Sequence, residues 1–274
     1  MRGVRVQENT VRQPAVAGTF YPADPARLEA MVREFLADAS VPALRHVRAV
    51  IAPHAGYIYS GPTAGYAFKV WEDAALRPHT IYLLGPAHYV YVDGVAVGRF
   101  EAFATPLGRV PVAEEMVEAL LSRGAPFIEA NKAHLPEHCL EVELPFLQVV
   151  FGNHVRIVPM LFGNVQPGDV VPALIEVLQA DPNALVVVSS DLSHYHDYWT
   201  ARQLDMALLE AIVQGDIPRA QEGEACGLLP ILALMRVALR LGWTAHLLDY
   251  RNSGDTAGDK SRVVGYAAVA YTAA

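Results

Sequence analysis

Cysteine is scarce: Cys139 and Cys226 are the only two in 274 residues, too few for a disulfide scaffold, and free thiols suit a reducing compartment. Charge is scarce as well, at 18% of residues, and the net charge of −8 comes with no Lys/Arg cluster, which argues against a nucleic-acid groove. No apolar run reaches the roughly 18 residues that span a bilayer. The opening MRGVRVQENTVRQPAVAG lacks the continuous apolar stretch of a secretory signal, so a cytoplasmic protein with no membrane partner is expected. Absent motifs narrow the field further. Without GxGxxG after the first strand, a GxxxxGK phosphate loop, HExxH or GxSxG, nucleotide-binding and serine-hydrolase readings lose support.

What is present reads as one globular domain over residues 1–274. Hydrophobic residues make up 53%, mean hydropathy is positive, and no repeat, low-complexity tract or long linker divides the chain. The organising stretch is VRAVIAPHAGYIYSG, Val47 to Gly61. Its apolar run is stopped by Pro53, which places His54 in a loop at the carboxyl end of a buried strand. The pattern recurs where TIYLL at 80–84 runs into Gly85-Pro86-Ala87-His88, and where LVVV at 185–188 runs into SSDLSH with Asp191 and His194. Ligand sites in open α/β sheets form outside the carboxyl ends of strands, so these loops are expected to converge.

Strands are also predicted over 93–100, 155–161, 184–190, 244–250 and 263–271, the last two as an antiparallel hairpin. Helices are predicted after Asp24-Pro25 and over 63–71, 113–122, 170–178, 202–214, 217–221 and 228–241. A further helical pattern in Leu140, Leu144, Leu147 and Val150 should be kinked or shortened by Pro145. Residues 1–25 hold too many Pro and Gly for regular structure and read as an ordered leader packed on the body. The alternation favours an α/β fold with a mixed, mainly parallel sheet flanked by helices.

His54, His88 and Cys226 form a donor set suited to zinc, copper or iron. Cys226 starts an apolar helix whose dipole would favour its thiolate. Taken singly, each is better read as a buried core residue or a loop hydrogen bonder; taken together, the two readings stand level. Asp191 and His194 read as metal ligands or as a carboxylate-oriented base, or, equally, Ser190 or Asp191 caps a short turn. His138, beside Glu137, reads as a base near the metal. His134 stands four residues before it, but Pro136 argues against a helical metal pair. His46, His79, His154, His196 and His246 read as surface or structural. Tyr57, Tyr59, Tyr89 and Tyr91 read as pocket lining or as packing.

The segments AVAGTFYPAD, APHAGYIYSGPTAGYA, LLGPAHY, FATPLG, EHCLEVELPFLQ, VPMLFG, SSDLSHYH, ACGLLP and GDKSRVVGYAAVAY, in that order along nearly the whole chain, resemble the Memo family. In prokaryotes the family is also described as the B component of the AmmeMemoRadiSam system. It is similar in fold to the LigB-type, class III extradiol dioxygenases, non-haem iron enzymes that cleave catechol-like rings. The resemblance implies metal ligation by His54, His88 and Cys226, with Asp191, His194 and His138 as further pocket and proton-transfer groups. It also implies iron or copper, redox or oxygen chemistry on a small molecule, and radical-SAM and AMMECR-like partners. Cys139 stands where the family's motif usually has serine. Some family members are associated with signalling and phosphotyrosine-peptide binding, which implies the competing reading of a scaffold with a vestigial pocket. Fold likeness alone does not transfer ring cleavage.

Overall fold

The computed structural model describes residues 10–72, 78, 80–152 and 154–274. Four apolar strands, Val47–Ala52, Leu185–Ser189, Thr80–Pro86 and Arg156–Phe162, lie side by side in that order and run parallel. They are buried almost from end to end, as strands covered on both faces are. Beyond Val47–Ala52 the sheet continues antiparallel through Val263–Thr272, which also pairs with Thr244–Asn252 and His194–His196. Beyond Arg156–Phe162 it continues through Val95–Val97 and Phe127–Glu129. Among the described residues the result is a mixed sheet of nine strands with a parallel centre, flanked by helices, as the β/α alternation predicts.

On the helical layers, Pro25–Asp38, Tyr57–Glu72 and Leu144–Phe151 meet through the rings of Phe35, Tyr57, Phe68 and Phe146. Pro167–Ala180 packs on Leu228–Leu241, which lies against Thr80–Pro86 and Leu185–Ser189. Among the described residues no helix is long and apolar enough to cross a membrane.

Several boundaries depart from the sequence expectation for identifiable reasons. The helix predicted over 63–71 begins at Tyr57 despite Pro62 and two glycines. Those glycines permit close approach to the first helix: a Cβ on Gly61 would lie 2.3 Å from the Phe35 ring, and one on Gly65 2.4 Å from the Phe35 carbonyl oxygen. Tertiary packing overrides a poor local propensity here. Pro145 shortens rather than kinks, standing in the first turn of Leu144–Phe151 behind a 3₁₀ turn at Glu141–Glu143. The strand expected over 93–100 is only Val95–Val97.

The leader is not devoid of regular structure. Val11–Arg12 adds a parallel strand to the hairpin Ala102–Thr105 and Gly108–Pro111. Its first nine residues and His79 lie outside the described residues. From Arg12 on, the leader is pinned by Glu141, whose buried carboxylate accepts from Arg12, the backbone N–H groups of Ala15 and Val16, and the Tyr21 hydroxyl. Val16 and Tyr21 belong to the core.

The parallel centre decides where chemistry can gather. Ala52 is in register with Ser189, and Leu84 with Val188, so the strands before His54, before Asp191 and before His88 end on one edge. The three loops leave the sheet side by side.

Candidate metal centre

His54 emerges two residues beyond its strand and is held at both ends. Its backbone N–H donates to Asp191 Oδ1 at 2.8 Å, across 137 positions of sequence, and its ring Nδ1 lies 2.8 Å from Ser189 Oγ. The opposite nitrogen, Nε2, faces Cys226 Sγ at 3.2 Å. The imidazole is 2% exposed, and burial, reinforced by the neighbouring His88, depresses its pKa to about 3. It is neutral, as a metal-ligating imidazole must be.

His88 is anchored by Glu137. Nδ1 contacts Glu137 Oε1 at 2.9 Å while the His88 backbone N–H donates to Oε2 at 2.7 Å. Oε1 also accepts from the backbone N–H groups of His138 and Cys139. Burial alone would raise this carboxyl, but the hydrogen bond and charge of His88 and the backbone N–H groups pull it down to about 2. An ionised carboxylate on Nδ1 fixes the imidazole with its proton there and leaves Nε2 as the free donor. His194 follows the same rule, its Nδ1 lying 2.8 Å from the Leu192 carbonyl.

One donor atom from each of His54, His88 and Cys226 falls within 4.8 Å of the others. The two imidazole centroids are 5.2 Å apart and nearly perpendicular. The third ring of the cluster is His138, stacked on His88 at 4.9 Å and edge-on to His54 at 5.3 Å. Phe20 of the leader covers it at 4.8 Å, and the Tyr89 hydroxyl lies 3.2 Å from its Nδ1. Burial, reinforced by the neighbouring His54, lowers the His138 pKa to about 4.

Cys226 corrects one expectation. It precedes the helix Leu228–Leu241, yet burial and the Asp191 carboxylate push its thiol up to about 12, against any help from the helix dipole. The backbone N–H of Asp191 donates to Sγ at 3.2 Å, so the sulfur is oriented. The Asp191 carboxylate does not cap a turn of its own loop: it accepts from the backbone of His54 and Ala55, and burial raises its pKa to about 6. Ser190, whose Oγ accepts from Gly227 N–H, ties the start of the last long helix to the same loop.

A second donor grouping, His88, Glu137 and Cys139, is already spoken for, because the Glu137 oxygens accept four N–H contacts and the Cys139 thiol donates to the Pro86 carbonyl. His134 is buried away from this cluster with Nε2 on the Ala96 carbonyl, which rules out the helical pair with His138. His196 pairs with Glu224 and His246 with Thr272. Tyr57 is core packing, its hydroxyl on the Val142 carbonyl, whereas Tyr89, beside His138, and Tyr91 are exposed.

Sequence reading missed Glu137 as the clamp of His88, and Ser189 and Glu143 behind His54. The signal was there in part: two carboxylates, Glu141 and Glu143, interrupt the otherwise apolar run 139–147, and buried acids are kept for partners.

Known proteins resemble this chain along most of its length. The family model described as Memo-like protein matches residues 12–270. A MEMO1 family protein of Methanopyrus kandleri is 36% identical over 279 residues, covering 95% of this chain and 98% of its own. Another, from Ignicoccus hospitalis, is 38% identical over 283 residues, covering 95% and 98%. The crystal structure of an uncharacterized protein from Escherichia coli K12 superposes with a TM-score of 0.51 at 11% identity, covering 82% of this chain and 99% of that one, and shows the fold alone. With the model spanning strands, loops and every residue of the cluster, and relatives aligned end to end, the chain belongs to the Memo family.

Proposed function

We propose that this is a cytoplasmic metalloprotein binding one iron or copper ion through His54 Nε2, His88 Nε2 and Cys226 Sγ, and using it for redox chemistry on a small molecule. The observation that carries the reading is the joint orientation of the donors: Ser189 and Glu137 occupy the Nδ1 atoms of both imidazoles, and the three donor atoms lie within 4.8 Å of one another. The donor set fits the group, since two imidazoles and a cysteine sulfur suit iron, copper and zinc, and ligation by the sulfur would release its proton.

A bound iron or copper supplies the electron-transfer and oxygen chemistry that no side chain here provides. The chain's own groups have separate tasks. Glu137 and Ser189 orient the imidazoles. His138, stacked on His88 and hydrogen-bonded to Tyr89, and His194, with Nδ1 engaged on Leu192, are the groups placed to accept and return protons at Nε2. Asp191 holds the His54 loop through its carboxylate, whose pKa burial raises to about 6. The family relationship supports radical-SAM and AMMECR-like proteins as partners in the same system.

A titration of the two thiols with and without added ferrous iron or zinc tests the reading. Protection of Cys226 by metal, absent in His54→Ala, is the expected result. Unchanged Cys226 reactivity favours the second reading, a binding scaffold with a vestigial pocket, which the exposed side chains of Tyr89, Tyr91 and Tyr195 would serve.

A further inference from the structure

Ser189 closes the central strand, and its hydroxyl meets three polar atoms at once. Oγ lies 2.6 Å from the Cys139 carbonyl, 2.7 Å from Glu143 Oε1 and 2.8 Å from His54 Nδ1. All four residues are buried, with Glu143 1% exposed. A hydroxyl has one hydrogen to give and two lone pairs to fill. A carbonyl cannot donate, so the 2.6 Å contact to Cys139 takes the serine hydrogen. The other two partners must then both donate to Oγ. His54 does so by carrying its proton on Nδ1. Glu143 does so only as the neutral acid, protonated on Oε1.

The opposite assignment fails on two counts. If the serine hydrogen went to an ionised Glu143, two acceptor oxygens would face each other at 2.6 Å with no proton between them. The anion would also be bare on its far side, because Glu143 Oε2 is buried with no hydrogen-bond partner. A neutral acid tolerates that far better than a carboxylate does. Burial raises the Glu143 pKa well above the carboxylate range, and the nearby Asp191 acts in the same direction, opposed by the contact with Ser189.

We propose that Glu143 is a neutral acid and a positioning residue: by donating to Ser189 it leaves one lone pair for His54 Nδ1–H, which turns the His54 Nε2 lone pair toward Cys226. Its consequence for metal binding rests on the reading of His54 as a ligand; the protonation pattern does not. The arrangement explains why a carboxyl sits in an apolar run beside a site for a cation without serving as a counter-charge.

The test compares the wild-type chain with Glu143→Gln and Ser189→Ala, metal-free and with zinc as a redox-silent probe. Glutamine keeps a neutral donor at the same position, so Glu143→Gln should bind zinc within about threefold of wild type. The infrared difference spectrum at neutral pH should show loss of a protonated-acid carbonyl stretch that shifts in deuterated water. Ser189→Ala should weaken zinc by about 10–100-fold and convert His54, read by ¹⁵N chemical shifts, from the Nδ1–H form to a mixture. Loss of carboxylate bands in Glu143→Gln, with zinc binding weakened about tenfold or more as removal of a nearby anion would give, overturns the proposal. So does a Ser189→Ala protein with His54 shifts and zinc affinity unchanged. Should Ser189→Ala not fold, the Glu143→Gln spectrum decides alone. Failure of the wild type to bind zinc would count against the metal reading, while the infrared and nitrogen spectra of the metal-free protein still decide this one.

Discussion

His88 and Glu137 are joined twice: Nδ1 of the imidazole lies 2.9 Å from one carboxylate oxygen, and the His88 backbone N–H donates to the other at 2.7 Å. One side chain therefore fixes the loop, the ring and the protonated nitrogen together. Glu137→Gln keeps the size but places an NH₂ against N–H donors, leaving at least one unsatisfied. Metal affinity should fall by about 10–100-fold, with stability lower by about 1–3 kcal/mol. Isothermal titration with zinc and a urea melt check this; an unchanged affinity would remove Glu137 from the site.

Arg12 supports the same clamp from behind. Its buried guanidinium donates to Glu141 and to the carbonyls of His134 and Glu137. Breaking a buried pair by removing one partner strands the other, so Arg12→Met should cost about 3–5 kcal/mol in chemical denaturation. A loss below about 1 kcal/mol would show that the leader is not part of the folded unit.

The acid limb of stability carries a signature of His134. Burial first, and the Arg12 charge in addition, hold its pKa at about 4 against the hydrogen bond to Ala96. Between pH 6.5 and 4 the unfolded chain binds a proton that the folded chain refuses, so this group's contribution is full above pH 6.5 and falls as pH drops. His134→Gln has no such dependence. Its stability deficit relative to wild type at pH 7 should shrink by about 3 kcal/mol at pH 4. A deficit that stays constant would mean that the folded chain takes up this proton as readily as the unfolded one.

At Gly65, alanine would gain about 1 kcal/mol in helix propensity. The Cβ would lie 2.4 Å from the Phe35 carbonyl oxygen, and backbone cannot turn aside as a flexible side chain would. Overpacking should win, giving a net loss of about 1–2 kcal/mol for Gly65→Ala. A stabilised variant would show that the two helices separate easily.

Much of this was legible before the fold. The strands before His54, His88 and Asp191 announce themselves as β-branched runs cut by Pro, Gly or Ser, and a parallel centre sends their ends to one edge. Cys226 was legible only as a donor type beside a helix. Its high pKa comes from burial and from Asp191, 35 residues away, and no local signal carries either. The start of the second helix was hidden because Gly61 and Gly65 read as breakers until Phe35 lies against them. Ser189, Glu137 and Glu143 were hidden for a related reason: each acts on a histidine far from it in sequence, as with the 135 positions between His54 and Ser189.

The central claim is that His54, His88 and Cys226 hold one metal ion. Elemental analysis of anaerobically purified protein, beside the His54→Ala/Cys226→Ala double variant, tests it most directly. Near-stoichiometric iron or copper in the wild type, lost in the double variant while the fold persists by circular dichroism, is the predicted result. The same metal content in both proteins, or none in either after reconstitution with ferrous and cuprous ions, would contradict it.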